Sequence, residues 1–132
     1  MTPEGFIVRT SRHDPMTTMD RLAAAVTKRG ATVAARIDHA AAAGAVGLPL
    51  APTEVLIFGN PKAGTPLMQA AQTIGVDLPL RALVWRDAQE ITYVGYNDPF
   101  WLARRHGVEA GNEATLSAMA DFLAAVVEEA AT

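Results

Sequence analysis

A glycine-bounded loop between an apolar run and a predicted helix is the segment of this sequence best suited to holding an anion. Gly59 and Gly64 have the spacing of a phosphate-binding loop and directly follow the apolar run Val55–Phe58. A Walker loop, however, requires a lysine between its second glycine and the Ser or Thr that follows. Lys62 lies inside the loop and Thr65 follows Gly64 directly, so nucleotide hydrolysis is disfavoured.

A weaker form of anion binding remains compatible with this loop. The N–H groups at the start of a helix carry partial positive charge, and together with Lys62 they could hold a phosphate or a carboxylate. The alternative is that the two glycines and the prolines form only a tight connection, because turns require such residues. The pattern by itself favours the turn, and both interpretations stay open.

Asp38 and His39 follow a predicted strand and could form an acid/base pair or half of a metal site. Adjacent residues of a strand point to opposite faces, so the two side chains cooperate only if a helix begins between them. A helix cap at Asp38 with a partly exposed His39 is the favoured interpretation. The other histidines, His13 and His106, have no metal-ligand spacing with His39, so no metal site is expected.

Arg81 stands in the largely apolar run Leu78–Arg86. An arginine in such a strand either pairs with a carboxylate, for which Asp77 and Asp98 are candidates, or makes a bidentate contact to an anion. The ion pair is favoured. No Ser-His-Asp order or paired carboxylates stand out, so no catalytic residue is predicted.

The composition favours one domain over residues 1–132 with a substantial apolar core, because half of the residues are hydrophobic. A net charge of −3 with scattered Lys and Arg excludes a basic surface for nucleic acid or a membrane anchor. No cysteine is present, which fits a reducing compartment and excludes thiolate chemistry. Without a leader-like N-terminus or a run of about 18 apolar residues, the cytoplasm is the expected location. No cofactor is expected.

Apolar periodicity and capping residues predict an α+β fold whose sheet is mainly antiparallel. The predicted strands are Phe6–Arg9, Thr32–Ile37, Val55–Phe58, Leu78–Arg86 and Ile91–Tyr96, with the last two forming a hairpin. The predicted helices run from Pro15 to Gly30, from His39 to Ala45, from Thr65 as cap to Gly75, from Pro99 to Arg105 and onward from Asn112.

Apolar residues point to both faces of the predicted sheet. Val55–Phe58 is apolar on both sides of its alternation, which is typical of an interior strand. In the next strand Leu80 and Val84 alternate with Leu83 and Trp85. Two long helices can cover one face only, so we expect a second copy of the chain to cover the other.

Four motifs in the same order resemble the DUF302 family over roughly Phe6–Val108. The motifs are Ile37-Asp38-His39, the segment Leu56–Met68, Asp77-Leu78-Pro79-Leu80-Arg81 and Tyr96-Asn97-Asp98-Pro99. The resemblance implies a β-α-β4-α architecture with short helical insertions and a C-terminal helix, like the TATA-binding-protein-like fold, and it implies dimers. It carries no established activity and no catalytic residue.

The resemblance adds weight to a binding site, because its pattern includes polar residues that a fold alone would not demand. We therefore expect a small cytoplasmic homodimer that binds a small anionic ligand at the loop 59–65. An enzyme with His39 as acid/base and a ligand-free protein-interaction module are the alternatives. The expected ligand-binding residues are His39, Asn60, Lys62, Gly64, Thr65 and Arg81.

Overall fold

Five strands form one antiparallel sheet in the computed structural model, which describes residues 2–132. The spatial order of the strands is β1-β5-β4-β3-β2, so that β1 and β2 are the edges. Every neighbouring pair is antiparallel, and β2 has one irregularity between Val33 and Ala35. The strands are β1 (Phe6–Ser11), β2 (Thr32–Asp38), β3 (Thr53–Gly59), β4 (Leu80–Arg86) and β5 (Thr92–Asn97).

Helix caps fix where most of the helices begin. The carboxylates of Asp14, Asp38 and Asp98 each accept a hydrogen bond from a backbone N–H in the first turn of the helix that follows. Gly107 ends the fourth helix with φ 70°, a conformation that glycine adopts without strain. The helices are α1 (Pro15–Lys28), α2 (His39–Ala45), α3 (Pro61–Ala70), α4 (Pro99–His106) and α5 (Glu113–Ala131), with a 3-10 helix at Gln72–Asp77.

Helices α1 and α5 lie together on one face of the sheet and bury its apolar side chains. The first core formed in this way contains Met19, Leu22, Val26, Leu56, Phe58, Leu80, Ala82, Val84, Val94, Tyr96, Leu123, Val126 and Val127. A second, smaller core joins α3, the 3-10 helix, α4 and the N-terminal half of α5. It contains Leu67, Ile74, Ala103, Val108, Leu116 and Met119.

The opposite face of the sheet, here called the open face, is only partly buried in the chain. Its central strand presents Arg81, Leu83 and Trp85, which alternate with the buried Ala82 and Val84 of the first core. Neighbouring strands add Phe6, Val8, Ala35, Ile37, Val55, Ile57 and Tyr93 in register with these residues.

The α+β class and the antiparallel sheet predicted from the sequence are confirmed. Strand β3 lies inside the sheet, and Leu56 and Phe58 are completely buried. The predicted hairpin is formed by β4 and β5 around residues 87–91.

The predicted start of α3 at Thr65 and its end at Gly75 are wrong. Asn60 caps the helix, Pro61 is its first residue, and it ends at Ala70 before the 3-10 helix. Asn60-Pro61 provides the same polar-proline start as Thr65-Pro66, five residues earlier. The earlier start places Ala63 and Leu67 one turn apart, and both pack on the second core.

Candidate functional site

A cleft of about 650 Å³ opens at the end of the sheet where β3 ends and where β2 and β4 begin. Helix α3 forms one wall and the N-terminal half of α5 forms another, while Arg29 stands at the end of α1. The size falls within the range of roughly 300–1,000 Å³ that is typical of small-molecule sites. The lining residues from the helices and strand ends include Arg29, Thr32, Asn60, Lys62, Gly64, Thr65, Met68, Leu78, Leu80, Thr115, Met119 and Phe122.

The interior of the cleft is the seam between the two cores. Leu80 belongs to the first core and Met119 to the second, and both are more than nine-tenths buried. Leu78 packs against both cores, and Phe122 packs against the first. A ligand in the cleft would therefore contact both cores at once.

All charged side chains that line the cleft are cations. They are Arg29 and Lys62, and no Asp or Glu is among the lining residues, although the whole chain has a net charge of −3. Arg29 is partly neutralised by Glu129 at 3.3 Å, and the hydrogen bonds from Lys28 and Arg29 hold the pKa of Glu129 below its ordinary value. Lys62 is exposed and makes no ion pair within residues 2–132.

The backbone N–H groups at the start of α3 are already occupied, contrary to the expectation of free donors near Gly64 and Thr65. The N–H of Lys62 donates to Asn60 Oδ1 at 3.0 Å. The N–H groups of Ala63 and Gly64 donate to the carbonyl oxygen of Asn60 at 2.9 and 3.0 Å. Thr65 lies within the helix. An anion in this cleft must therefore be held by side chains.

Four of the six predicted site residues line the cleft, namely Asn60, Lys62, Gly64 and Thr65, whereas His39 and Arg81 do not. Thr32 pairs with Gly59 at the cleft end of the sheet, and His39 follows the other end of β2. Seven residues at about 3.3 Å each put His39 roughly 20 Å away. His39 is therefore too far away to act as acid or base on a ligand at the loop.

Arg81 lies on the open face, opposite Ile57, with an exposed side chain. Neither predicted partner pairs with it. Asp77 pairs with Arg105, and Asp98 accepts the N–H of Phe100 at the start of α4. Within residues 2–132 Arg81 makes no ion pair.

The contribution of α5 to the cleft was not predicted from the sequence. Residues 115, 118, 119 and 122 repeat as i, i+3, i+4 and i+7, which is one face of a helix. This second stripe runs beside the core residues Leu116 and Leu123 of α5, and Met119 belongs to both sets. A helix with two adjoining apolar stripes covers more than one surface, and that pattern was the available signal.

A separate polar cluster joins the 3-10 helix to the end of α4. Arg105 donates to both carboxylate oxygens of Asp77, at 3.0 and 2.8 Å, and His106 Nε2 lies 2.6 Å from Asp77 Oδ2. The other ring nitrogen of His106 lies 3.0 Å from the hydroxyl of Thr73. None of these four residues lines the cleft, so the cluster holds two elements together beside it.

No group of three or more His, Cys, Asp or Glu side chains in the described part of the chain is arranged to hold a metal ion. The fold and the cleft define a small α+β domain with a partly exposed sheet face and an apolar site edged by cations. Residues 7–126 match the profile of the family described as "Domain of unknown function DUF302", and the chain belongs to this family.

A solved structure and several curated proteins are similar to this chain. The crystal structure of an uncharacterised conserved DUF302 protein from Bacillus stearothermophilus superposes with a TM-score of 0.85, at 18% identity, over 97% of this chain and 99% of that one. At this identity the likeness concerns the fold.

The curated relatives are longer than this chain. "Fluoride-specific ion channel FluC 1" from Brucella suis biovar 1 is 43% identical over 127 residues, which are 96% of this chain and 50% of that protein. "Fluoride-specific ion channel FluC 2" from Brucella melitensis biotype 1 is also 43% identical, with 47% of it covered. The chain thus spans about half the length of these relatives. Within residues 2–132 no helix is both long and apolar enough to span a bilayer.

Proposed function

We propose that this protein binds a small anionic ligand in the cleft at residues 59–65 and works as a cytoplasmic homodimer. One observation carries the ligand proposal: the cleft is largely apolar, and its charged lining residues are Arg29 and Lys62 without an acidic counterpart. The whole chain has a net charge of −3, yet the charged side chains that line this cavity are all positive, which favours a negatively charged ligand.

Each polar residue at the cleft has a distinct role in this proposal. Lys62 supplies a positive charge without a competing carboxylate, and Arg29 supplies a second charge that it shares with Glu129. Asn60 caps α3 through Oδ1, which leaves its side-chain N–H groups to donate to the ligand. The hydroxyl of Thr65 adds a donor one helical turn further along.

The direct test is a titration of small anions followed by amide NMR shifts. We expect acetate, phosphate, sulfate or fluoride to move the signals of residues 59–65 in the wild-type protein. Lys62→Ala should weaken the binding about tenfold, because Lys62 is exposed and its contact falls at the lower end of the roughly 1.5–3 kcal/mol of a charge-assisted hydrogen bond. Arg12→Ala removes the same charge at the opposite end of the sheet and should leave the affinity unchanged. Signals of 59–65 that do not move at millimolar anion would reject the proposal.

The homodimer part of the proposal is supported by the chemistry of the open face. Four neighbouring strands present apolar side chains on this face, namely Val8, Tyr93, Leu83, Trp85, Val55 and Ile57. Outside the sheet, Val46, Leu48 and Leu50 follow α2 and are each about half or more exposed. The sheet residues of the open face are half-buried in the single chain. Contiguous apolar surface is typical of an interface, and a second copy would bury such a face symmetrically.

The alternatives make different predictions. An interaction module would show no anion-dependent shifts at residues 59–65. An enzyme would need an acid or base at the cleft, and the distance of His39 from the loop speaks against that residue in this role. The likeness to the TATA-binding-protein-like fold stays a prediction. The alignment covers only about half of the length of each Brucella protein. The ion-channel activity that their names state therefore refers to the whole proteins and not to the matched half alone.

A further inference from the structure

We infer that the ligand of the cleft is an amphipathic anion: a single carboxylate on an unbranched apolar chain, bound as a free molecule. This inference rests on the proposed function and adds the chemical class of the ligand. It follows from the separation of polar and apolar groups within the cleft.

The interior of the cleft offers almost no polar partner. The side chains of Met68, Leu78, Leu80, Met119 and Phe122 form its apolar part, where the two cores meet. A sugar or nucleotide placed here would lose its hydrogen bonds to water without replacement, at a cost of a few kcal/mol for each polar group. Two of the five side chains are methionines, whose flexible thioethers adapt to chains of different shape.

Most polar groups of the cleft lie at its exposed side, and Thr115 is the half-buried exception among the lining residues. Asn60, Lys62 and Thr65 are exposed, whereas Leu80 and Met119 are buried. A ligand with its charge at one end would place that end beside Lys62 and its apolar chain between the cores. The absence of a lining carboxylate favours an anionic head over a neutral or cationic one.

A larger side chain at Gly64 would reduce the space available in the cleft without changing the charge of the cleft. A Cβ built on Gly64 would lie 3.6 Å from Leu78 Cδ1 and 3.9 Å from Met68 Cε, which is ordinary van der Waals contact. The first carbon of a side chain therefore fits at Gly64, and the rest of the leucine in Gly64→Leu would extend into space that a ligand chain would occupy; circular dichroism checks that the variant folds. Gly44→Leu is the matched control, because Gly44 also lies in a helix and has no atom within 4 Å of a built Cβ.

The experiment measures the affinity for acetate, butyrate, hexanoate, octanoate and decanoate by calorimetry, below their micellar concentrations. We expect each added methylene to raise the affinity by up to about fourfold until the chain fills the cleft. Gly64→Leu should weaken decanoate binding at least tenfold and weaken acetate binding much less, because only the longer chain reaches the space that the new side chain fills. Gly44→Leu should match the wild type. Decanol should bind more weakly than decanoate, and Lys62→Met should remove that difference.

The outcomes separate this inference from the proposed function. Binding of acetate that depends on Lys62 but does not strengthen with chain length would overturn the amphipathic ligand and leave anion binding intact. Failure of every carboxylate to bind would overturn this inference, and failure of phosphate and sulfate as well would reject both proposals. Decanoate binding that Gly64→Leu does not weaken would place the ligand elsewhere and overturn the inference. If the protein sediments with phosphatidylglycerol vesicles but does not bind free decanoate, the inference is also overturned. The apolar part of the ligand would then belong to a lipid bilayer and not to a free molecule.

Discussion

The ring of Phe6 lies directly over Gly95 on the neighbouring strand, in the space that a side chain on residue 95 would need. Trp85 approaches the same position from the other side, and its ring centroid is 5.9 Å from that of Phe6 and 5.3 Å from that of Tyr93. The glycine thus allows three aromatic rings on three adjacent strands to pack on the open face. Aromatic packing over a glycine in a sheet replaces the contacts that the glycine itself lacks.

Gly95→Ala is expected to lower stability by about 1–3 kcal/mol, because the new methyl group would displace the rings of Phe6 and Trp85. Urea unfolding measures the loss, and near-ultraviolet circular dichroism reports the movement of Trp85. Gly44→Ala is the control, since its methyl group meets nothing and alanine favours a helix. Equal stability of Gly95→Ala and the wild type would mean that the aromatic cluster contributes little.

Leu83→Glu is expected to convert the proposed homodimer into a monomer. Leu83 lies on the central strand of the open face, opposite Val55 and Gly95 of the two neighbouring strands. A carboxylate buried there in an interface would lack a partner. Light scattering should report twice the mass of the 14.0 kDa chain for the wild type and the single mass for the variant.

Val76→Glu serves as the control for this substitution, because Val76 is 68% exposed in the 3-10 helix and lies outside the open face. It should leave the wild-type mass unchanged. A wild-type protein that remains at 14.0 kDa at high micromolar concentration would contradict the dimer.

The sheet and its long helices could be predicted from the sequence because their signals are local. Pro15 after Asp14 marks the start of α1, and Leu116, Met119 and Leu123 repeat along α5 with the period of a helix. These features depend on neighbouring residues and hold in any context. The same reasoning identified Asp38 as the cap of α2.

The start of α3 and the composition of the cleft could not be predicted, because they depend on contacts between distant segments. Two polar-proline pairs offered equivalent helix starts, and the packing of Leu67 on the second core favours the earlier one. Lys62, Ala63 and Gly64 in the first turn then donate to Asn60 the N–H groups that had been assigned to a ligand. The stripe that includes Phe122 signals that α5 covers a second surface, but no local pattern shows that this stripe meets Arg29 and α3 at one cleft.

Phe58→Ala is expected to cost about 3–5 kcal/mol, because the ring is completely buried on the helix-covered face of β3. Its centroid lies 6.1 Å from that of Phe122, which lines the cleft, so the substitution should also weaken ligand binding. Thermal unfolding measures the first effect. Met16→Ala, at a side chain that is 72% exposed, should change stability by less than about 0.5 kcal/mol. An unchanged midpoint for Phe58→Ala would contradict the assigned core.

Acid stability should depend on the cap of α1. The hydrogen bonds from Thr17 hold the pKa of Asp14 below its ordinary value of 3.8. A carboxyl group whose pKa is lower in the folded state stabilises the protein above the unfolded value, and this contribution disappears as the pH falls through the folded value. Asp14→Asn keeps an acceptor for the Thr17 N–H but does not titrate. We therefore expect this variant to lose less stability than the wild type when the pH is lowered from 5 to below 3.8 in thermal melts.

Asp77→Asn should loosen the attachment of the 3-10 helix to α4. The carboxylate accepts both bonds from Arg105 and lies 2.6 Å from His106 Nε2, and its side chain is only 18% exposed. An amide offers one oxygen and no charge, so at least one of these bonds is lost at a cost of roughly 1–3 kcal/mol. Asp121→Asn is the control, because Asp121 is exposed and makes no ion pair in the described part of the chain. Hydrogen exchange should show faster exchange at residues 72–77 in Asp77→Asn only. Equal exchange in both variants would mean that the second core, through Ile74, holds the 3-10 helix in place without the polar cluster.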